Sequence, residues 1–221
     1  SGLKKILVLT QYKAMSLDRH INVGWRKLFC WELGDFIDVV PPQQRIDENW
    51  YRGTADAVYQ NIYAIEKEDP DHVVILAGDH VYKMDYSKMV DFHKENNADV
   101  TVAALQVPVE TAAGQFGVME AEADSRIVGF QEKPKIPKPM PGDNTQCLAS
   151  MGIYVFSARF MYAQLCQNAA QSNAGHDSGH NIIPSIIDSH RVFAFPFRDE
   201  NQKSEAYWRD VGTLDAYYEA N

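Results

Sequence analysis

Asp79 follows the apolar run Val73-Val-Ile-Leu-Ala-Gly78, so the chain delivers a carboxylate where a buried strand emerges, and Gly78 lets the backbone turn tightly there. An acid in that place suits Mg2+, a hard cation that takes oxygen ligands and keeps one or two protein carboxylates beside substrate phosphates. The same residue could equally cap the next turn. A second acid, Asp210, stands in Trp208-Arg-Asp-Val-Gly-Thr213, where Gly212 and Thr213 open a helix; read locally, this is a helix start whose tryptophan packs in the core. Any pairing of the two acids must come from the fold. Lys133, in Glu132-Lys-Pro134, is a compact charge that can grip a phosphate, with Pro134 expected to hold it extended, although a lone surface lysine is ordinarily just solvated. Tyr51-Arg-Gly-Thr-Ala-Asp-Ala57 runs through Gly53 into a helix and could cradle a nucleotide, yet one glycine before a helix is a weak signal. Ser150-Met-Gly152 interrupts a strand, which marks a bulge or a close backbone approach rather than a catalytic serine, since no G-x-S-x-G elbow is present. His176 and His180 have the spacing of zinc ligands on a helix face, but Gly175, Ser178 and Gly179 favour a loop, and no zinc site is expected.

The elements that must position these groups follow from two alternating periodicities. Lys5–Thr10 and His72–Ala77 are continuous apolar runs, the pattern of interior strands in a parallel sheet. Thr54–Glu66 places Ala55, Val58, Ile62 and Ile65 at helical spacing, and Tyr86–Asn96 does the same after a cap at Asp85. Further strands are predicted at Asp99–Leu105, Phe116–Glu120, Arg126–Glu132, Leu148–Phe156 and Arg191–Phe195, and helices at Ser157–Asn168, Asn181–Ser189 and Thr213–Ala220. The two short strands around the turn Glu122–Ser125 form an antiparallel hairpin, so the fold class is α/β with a mixed, mainly parallel, Rossmann-like sheet. Lys133–Gly142 carries four prolines and reads as a surface loop or a stiff lid, and Asn168–Gly179 as a second polar loop. There is no internal repeat and no linker that would split residues 1–221 into two domains.

Composition narrows the function. With 221 residues, 45% apolar content and a formal net charge of -9, the chain can bury a core and lacks the basic footprint that phosphate-backbone binding needs, which argues against a nucleic-acid partner. No apolar run is long enough to cross a bilayer and no secretory leader is visible, so no membrane partner is expected and the reading is of a soluble, cytoplasmic protein. Cys30, Cys147 and Cys166 are widely spaced and read as buried or idle thiols.

Several islands in this order carry a resemblance: Thr10-Gln-Tyr12, Asn49–Val58, Ile75-Leu-Ala-Gly-Asp-His80 with Tyr82, Phe116-Gly-Val118, Glu132-Lys-Pro134, Ala149–Tyr154 and Tyr207–Thr213. Together they resemble the ADP-glucose pyrophosphorylases (glucose-1-phosphate adenylyltransferases), over essentially the whole chain. The resemblance implies a fold of the nucleotide-diphospho-sugar transferase type and Mg2+ held by Asp79 and Asp210 on the nucleotide phosphates. It implies that Lys133 binds the phosphate of glucose 1-phosphate, that Glu132, Gly117 and Ser150 line the sugar pocket, and that Tyr51 and the Gly53 loop contact substrate and nucleotide. The implied reaction joins ATP and glucose 1-phosphate into ADP-glucose and pyrophosphate, for glycogen or starch synthesis, in an allosteric homo-oligomer. Such a transfer is a matter of positioning and charge neutralisation and needs no protein nucleophile.

The family also has a Gly-rich phosphate cradle ahead of the first residues seen here and a β-helix beyond the last, so the resemblance implies a partial catalytic domain, inactive or nearly so by itself, with an apolar sheet edge prone to self-association. Two other readings remain open from the sequence: a noncatalytic regulatory or structural subunit, against which the retention of Asp79, Asp210 and Lys133 counts, and a sugar nucleotidyltransferase using UTP or dTTP. A dehydrogenase fits poorly, because no G-x-G-x-x-G follows a strand.

Overall fold

Apolar strand runs alternating with helical spacings fold into an α/β arrangement around a six-stranded mixed sheet. The structure, a computed structural model, describes residues 2–42, 50–170, 178–200 and 206–221. In chain order the elements are β1 (Lys5–Leu9), α1 (Met15–His20), β2 (Phe36–Val40), α2 (Thr54–Gln60), α3 (Ile62–Glu66), β3 (His72–Ile75), β4 (His80–Tyr82), α4 (Tyr86–Glu95), β5 (Val100–Pro108), α5 (Val109–Ala112), β6 (Val118–Ala121), β7 (Ile127–Gln131), β8 (Gln146–Ser157), α6 (Ala158–Ala169), α7 (Ile183–Ile186), β9 (Val192–Pro196), β10 (Trp208–Asp210) and α8 (Leu214–Ala220). The large sheet runs β7-β6-β8-β5-β9, with β3 also on β8. Strands β3, β5, β6 and β9 point one way, while β8 and its distant companion β7 point the other. The direction is therefore mainly shared, although the long β8 makes antiparallel ladders with three neighbours.

Alternation along β5 and β8 sends side chains to two covered faces. On one, Val100, Val102, Tyr154 and Phe156 meet Ala55 and Val58 of α2, Met161 and Leu165 of α6, and Ile183 and Ile186 of α7. On the other, Ala103, Met151, Ile153 and Val155 pack with Met89 of α4, Phe197 and Trp208. Full burial of a residue such as Phe156 or Met89 contributes about 1.5–3 kcal/mol. His93 of α4 is fully buried on this second face. Its Nδ1 lies 2.9 Å from Thr101 Oγ1 and its Nε2 3.1 Å from Ser157 Oγ. Because the Ser157 hydroxyl donates to the Ala98 carbonyl, Nε2 is the protonated nitrogen and donates to Ser157, leaving Nδ1 to accept from Thr101. Burial, with His72 nearby, lowers the His93 pKa to about 4.

The structure departs from the sequence expectations at five places. β1 pairs in parallel with β2 alone, in a separate two-stranded ladder, and β3 pairs only with β8 among the described residues. Neither is a doubly paired interior strand; a short apolar run reads the same in either position. The expected helix Thr54–Glu66 breaks at Asn61, whose amide donates to both the Tyr51 hydroxyl and the Ala57 carbonyl and so competes with the helix ladder. The expected helix Asn181–Ser189 is a π-turn over Ser178–Ile182 followed by the short α7, where Pro184 removes a donor. Lys133 is not extended: its φ is 44°, in the left-handed region.

Cys147 is buried, which pushes its thiol pKa up, while Cys30 and Cys166 are exposed, and all three are free. No helix among the described residues is long and apolar enough to cross a membrane. His176 lies outside the described residues, and with it the His176/His180 spacing.

Candidate active site

Two three-residue strands, β4 and β10, form an antiparallel ribbon of their own, with Trp208 opposite Tyr82 and Asp210 opposite His80. Asp79 immediately precedes β4, so the ribbon brings it beside the end of β10, and its carbonyl accepts the Val211 N–H at 2.8 Å. The Gly212 N–H in turn donates to Asp210 Oδ1 at 2.7 Å. A Cβ at Gly212 would stand 3.0 Å from Asp210 Oδ1 and 3.8 Å from Asp79 Oδ2, so both carboxylates border one point, left open by a glycine. Both acids are exposed. Two like charges facing one small space repel, which is unfavourable unless a cation sits between them. Among the described residues no third His, Cys, Asp or Glu joins them into a closed metal cage. An open pair of hard oxygen donors is the pattern of a site completed by substrate oxygens rather than by protein.

The ribbon rests on the large sheet through rings. Trp208, 8% exposed, packs edge-on against His80 (centroids 5.0 Å apart) and against Phe116 (5.2 Å). His80 Nε2 lies 3.7 Å from Asp79 Oδ1. On its other side, His80 Cε1 would be 3.5 Å from a Cβ at Gly152, which has φ +67°. That glycine sits in the stretch of β8 between its pairing with β6 at Leu148–Ala149 and with β3 at Tyr154–Ser157, close to the register shift between Val102 and Ala104. The sequence expectation of a bulge or close approach at Ser150–Gly152 thus has a concrete form.

Ser150, Gly117, Glu132 and Lys133 continue the wall from Phe116. The Ser150 N–H donates to the Gly117 carbonyl at 2.8 Å, and the Ser150 hydroxyl accepts from the Gly152 N–H at 3.3 Å. The Glu132 carboxylate lies over Gly117, 2.9 Å from where a Cβ would stand. The Lys133 N–H donates to the Phe116 carbonyl at 3.1 Å, and the Gly114 N–H donates to the Pro134 carbonyl at 2.9 Å. These two bonds hold Lys133 at a φ that a side-chain-bearing residue adopts only when its surroundings over-determine it. The side chain of Lys133 is exposed.

Tyr51 is placed differently. It is buried, and its hydroxyl accepts from Asn61 at 2.9 Å, inside the layer beneath α2. Burial raises its pKa. Gly53 adopts fully extended backbone as the N-cap of α2, and the buried Asp56 ties the turn by accepting from the Arg52 N–H and from Gln60. Sequence reasoning gave no position-setting role to Phe116, His80 or Trp208, or to Asn61; a ring contact between distant segments leaves no local pattern to read. A cavity of about 640 Å³, lined by Leu3, Ile6, Ile21, Trp25, Ile37 and Leu76, contains neither the acid pair nor Lys133.

The model of the nucleotidyl transferases matches residues 1–221, and the chain belongs to that family. It is 66% identical over its whole length to a glucose-1-phosphate adenylyltransferase of Rhodopirellula baltica, of which it covers 49%. It is 54% identical to glucose-1-phosphate adenylyltransferase 2 of Alkalilimnicola ehrlichii and 52% identical to the glucose-1-phosphate adenylyltransferase of a Shewanella species, covering 52% of each. The chain spans about half the length of the curated relatives it matches.

Proposed function

We propose that residues 1–221 carry the acid pair and the sugar-phosphate side of the catalytic domain of a glucose-1-phosphate adenylyltransferase, which joins ATP and α-D-glucose 1-phosphate into ADP-glucose and pyrophosphate. The observation that carries the reading is the convergence of Asp79 and Asp210 on the space beside Gly212. That its relatives are glucose-1-phosphate adenylyltransferases supports these substrates.

In this reading Asp79 and Asp210 hold Mg2+, which when bound neutralises phosphate charge and orients phosphate oxygens. The open, glycine-walled pair fits such an ion, since it leaves most of the coordination sphere to the nucleotide. Lys133 binds the phosphate of the sugar, offsetting repulsion between two anions brought into line, and its clamped backbone limits where the amine can reach. Glu132 and the Ser150 hydroxyl face the sugar across the floor made by Gly117. Tyr51, Gly53 and the buried Asp56 shape the wall under the nucleotide, with Tyr51 held in place by its burial and by the Asn61 amide that its hydroxyl oxygen accepts. The attacking oxygen belongs to the sugar phosphate and the leaving group is pyrophosphate, so no side chain has to form a covalent bond. Assembly as a cytoplasmic homo-oligomer is carried by the resemblance alone.

The test is ATP formation from ADP-glucose and pyrophosphate by the complete gene product, with Asp79→Asn, Asp210→Asn and Lys133→Gln beside the parent. Each acid variant is expected to lose roughly 10²-fold or more in kcat, as for removal of one charge-stabilising group. The lysine variant is expected to raise KM for the sugar phosphate. Undiminished turnover in both acid variants would overturn the assignment, and a preference for UTP or dTTP in the forward direction would move it to another sugar nucleotide.

A further inference from the structure

The two charged halves of the site sit on separately bonded units. Asp79 and Asp210 belong to the β4–β10 ribbon, which shares no strand ladder with the large sheet among the described residues. Lys133, Glu132 and Gly117 belong to the β6–β7 side of that sheet. Among the described residues no strand ladder joins acids to amine, so packing between ribbon and sheet contributes to the distance between them.

Phe116 touches both. Its carbonyl accepts the Lys133 N–H and so helps hold the lysine at φ 44°. Its ring lies edge-on against Trp208, the first residue of β10, and Trp208 lies edge-on against His80, the neighbour of Asp79. Resting on the adenylyltransferase reading above, we propose that Phe116 is a positioning residue that fixes the placement of the Lys133 amine relative to the Asp79–Asp210 pair. An edge-on aromatic contact has a preferred spacing and angle that an aliphatic side chain does not reproduce. A shift of about 1 Å in a reacting group can cost on the order of 10²-fold.

The experiment measures steady-state kinetics of the complete gene product for Phe116→Leu, Phe116→Met and Phe116→Tyr. In the leucine and methionine variants KM for glucose 1-phosphate and the half-saturating Mg2+ concentration are expected to rise together, each by about tenfold, and kcat/KM to fall by about 10- to 100-fold. Tyrosine, which keeps the ring edge at this partly buried position, is expected to restore both. A merely structural role would reduce the active fraction, lowering kcat with both saturation constants unmoved, and that result would overturn the proposal. Movement of only one constant would overturn it as well. If leucine prevents folding, methionine, which nearly fills the same space, carries the same two readouts. Should Asp79→Asn and Lys133→Gln abolish activity and weaken binding while Phe116 variants behave as the parent, the positioning role falls alone; should the Asp79 variant stay active, the adenylyltransferase reading falls first.

Discussion

Replacing Gly117 by alanine tests the floor of the site at the level of single atoms. The added Cβ would lie 2.6 Å from Phe130 Cζ, 3.2 Å from Phe130 Cε1 and 2.9 Å from Glu132 Oε2. Carbon atoms pack best at about 3.5–4.0 Å, so the Phe130 ring has to retreat by roughly 1 Å, and the Glu132 carboxylate must move with it. Forcing a methyl into such a place costs about 1–3 kcal/mol, and the lower chain entropy of alanine returns about 0.4–1 kcal/mol of that. The expected net loss is about 1–2 kcal/mol, read as a lower urea midpoint at unchanged slope. Displacement of Glu132 should also raise KM for glucose 1-phosphate several-fold, while KM for the nucleotide stays put. An unchanged midpoint would refute the packing argument. A lower midpoint with an unchanged sugar-phosphate KM would refute the place of Glu132 in the sugar pocket.

Two further expectations follow from buried or strained groups. His93 stays neutral in the fold, with its pKa lowered to about 4 chiefly by burial, whereas an unfolded histidine titrates near 6.5. The unfolded chain therefore binds the extra proton first, so stability falls as pH drops below about 6.5, by up to about 1.4 kcal/mol per pH unit, and levels off near pH 4. His93→Gln should flatten that slope in urea titrations between pH 7 and 4.5; parallel slopes in the two proteins would refute the assignment. At Lys133, asparagine tolerates the left-handed backbone and valine does not, so Lys133→Val should be less stable than Lys133→Asn by about 1–2 kcal/mol. Both should lose sugar-phosphate affinity alike, and equal melting temperatures would show that φ at this position carries no strain.

Much of the sheet could be read from residue order. β5, β8, α4 and α6 are long enough for their periods to register, and the Asp85 cap of α4 is present, its carboxylate accepting from the Ser87 N–H. The ribbon that makes the site could not, because three residues such as His80–Tyr82 or Trp208–Asp210 carry no period. Read locally, Trp208 was expected in the core and Asp210 at a helix start. The tryptophan is indeed buried, yet it starts a strand, and α8 begins only at Leu214 with Thr213 as its cap. Asp79, Lys133 and Asp210 stand out by residue type and motif wording, but their relation depends on contacts between segments far apart in the chain, the two acids being 131 residues apart. The left-handed φ of Lys133 ran against the local expectation set by Pro134, because two long-range hydrogen bonds outweigh a one-residue preference.

Several departures from local rules sit at the junction between ribbon and sheet. Two exposed carboxylates face one space, and a lysine holds a glycine-like backbone. His80 Nδ1 and Trp208 Nε1 are two of the four buried, unpartnered polar side-chain atoms among the described residues. Each such atom costs about 1–3 kcal/mol, a left-handed non-glycine costs of the same order, and like charges facing one space add to the total. Relief of any one is chemically simple: Trp208→Phe removes an orphan donor, and glycine at 133 removes the strain. None of these departures strengthens the core, and all of them bear on where Asp79, Asp210 and Lys133 stand. On the adenylyltransferase reading proposed above, these costs go with the relative placement of two negative charges and one positive charge, which transfer between two phosphates without a protein nucleophile would demand.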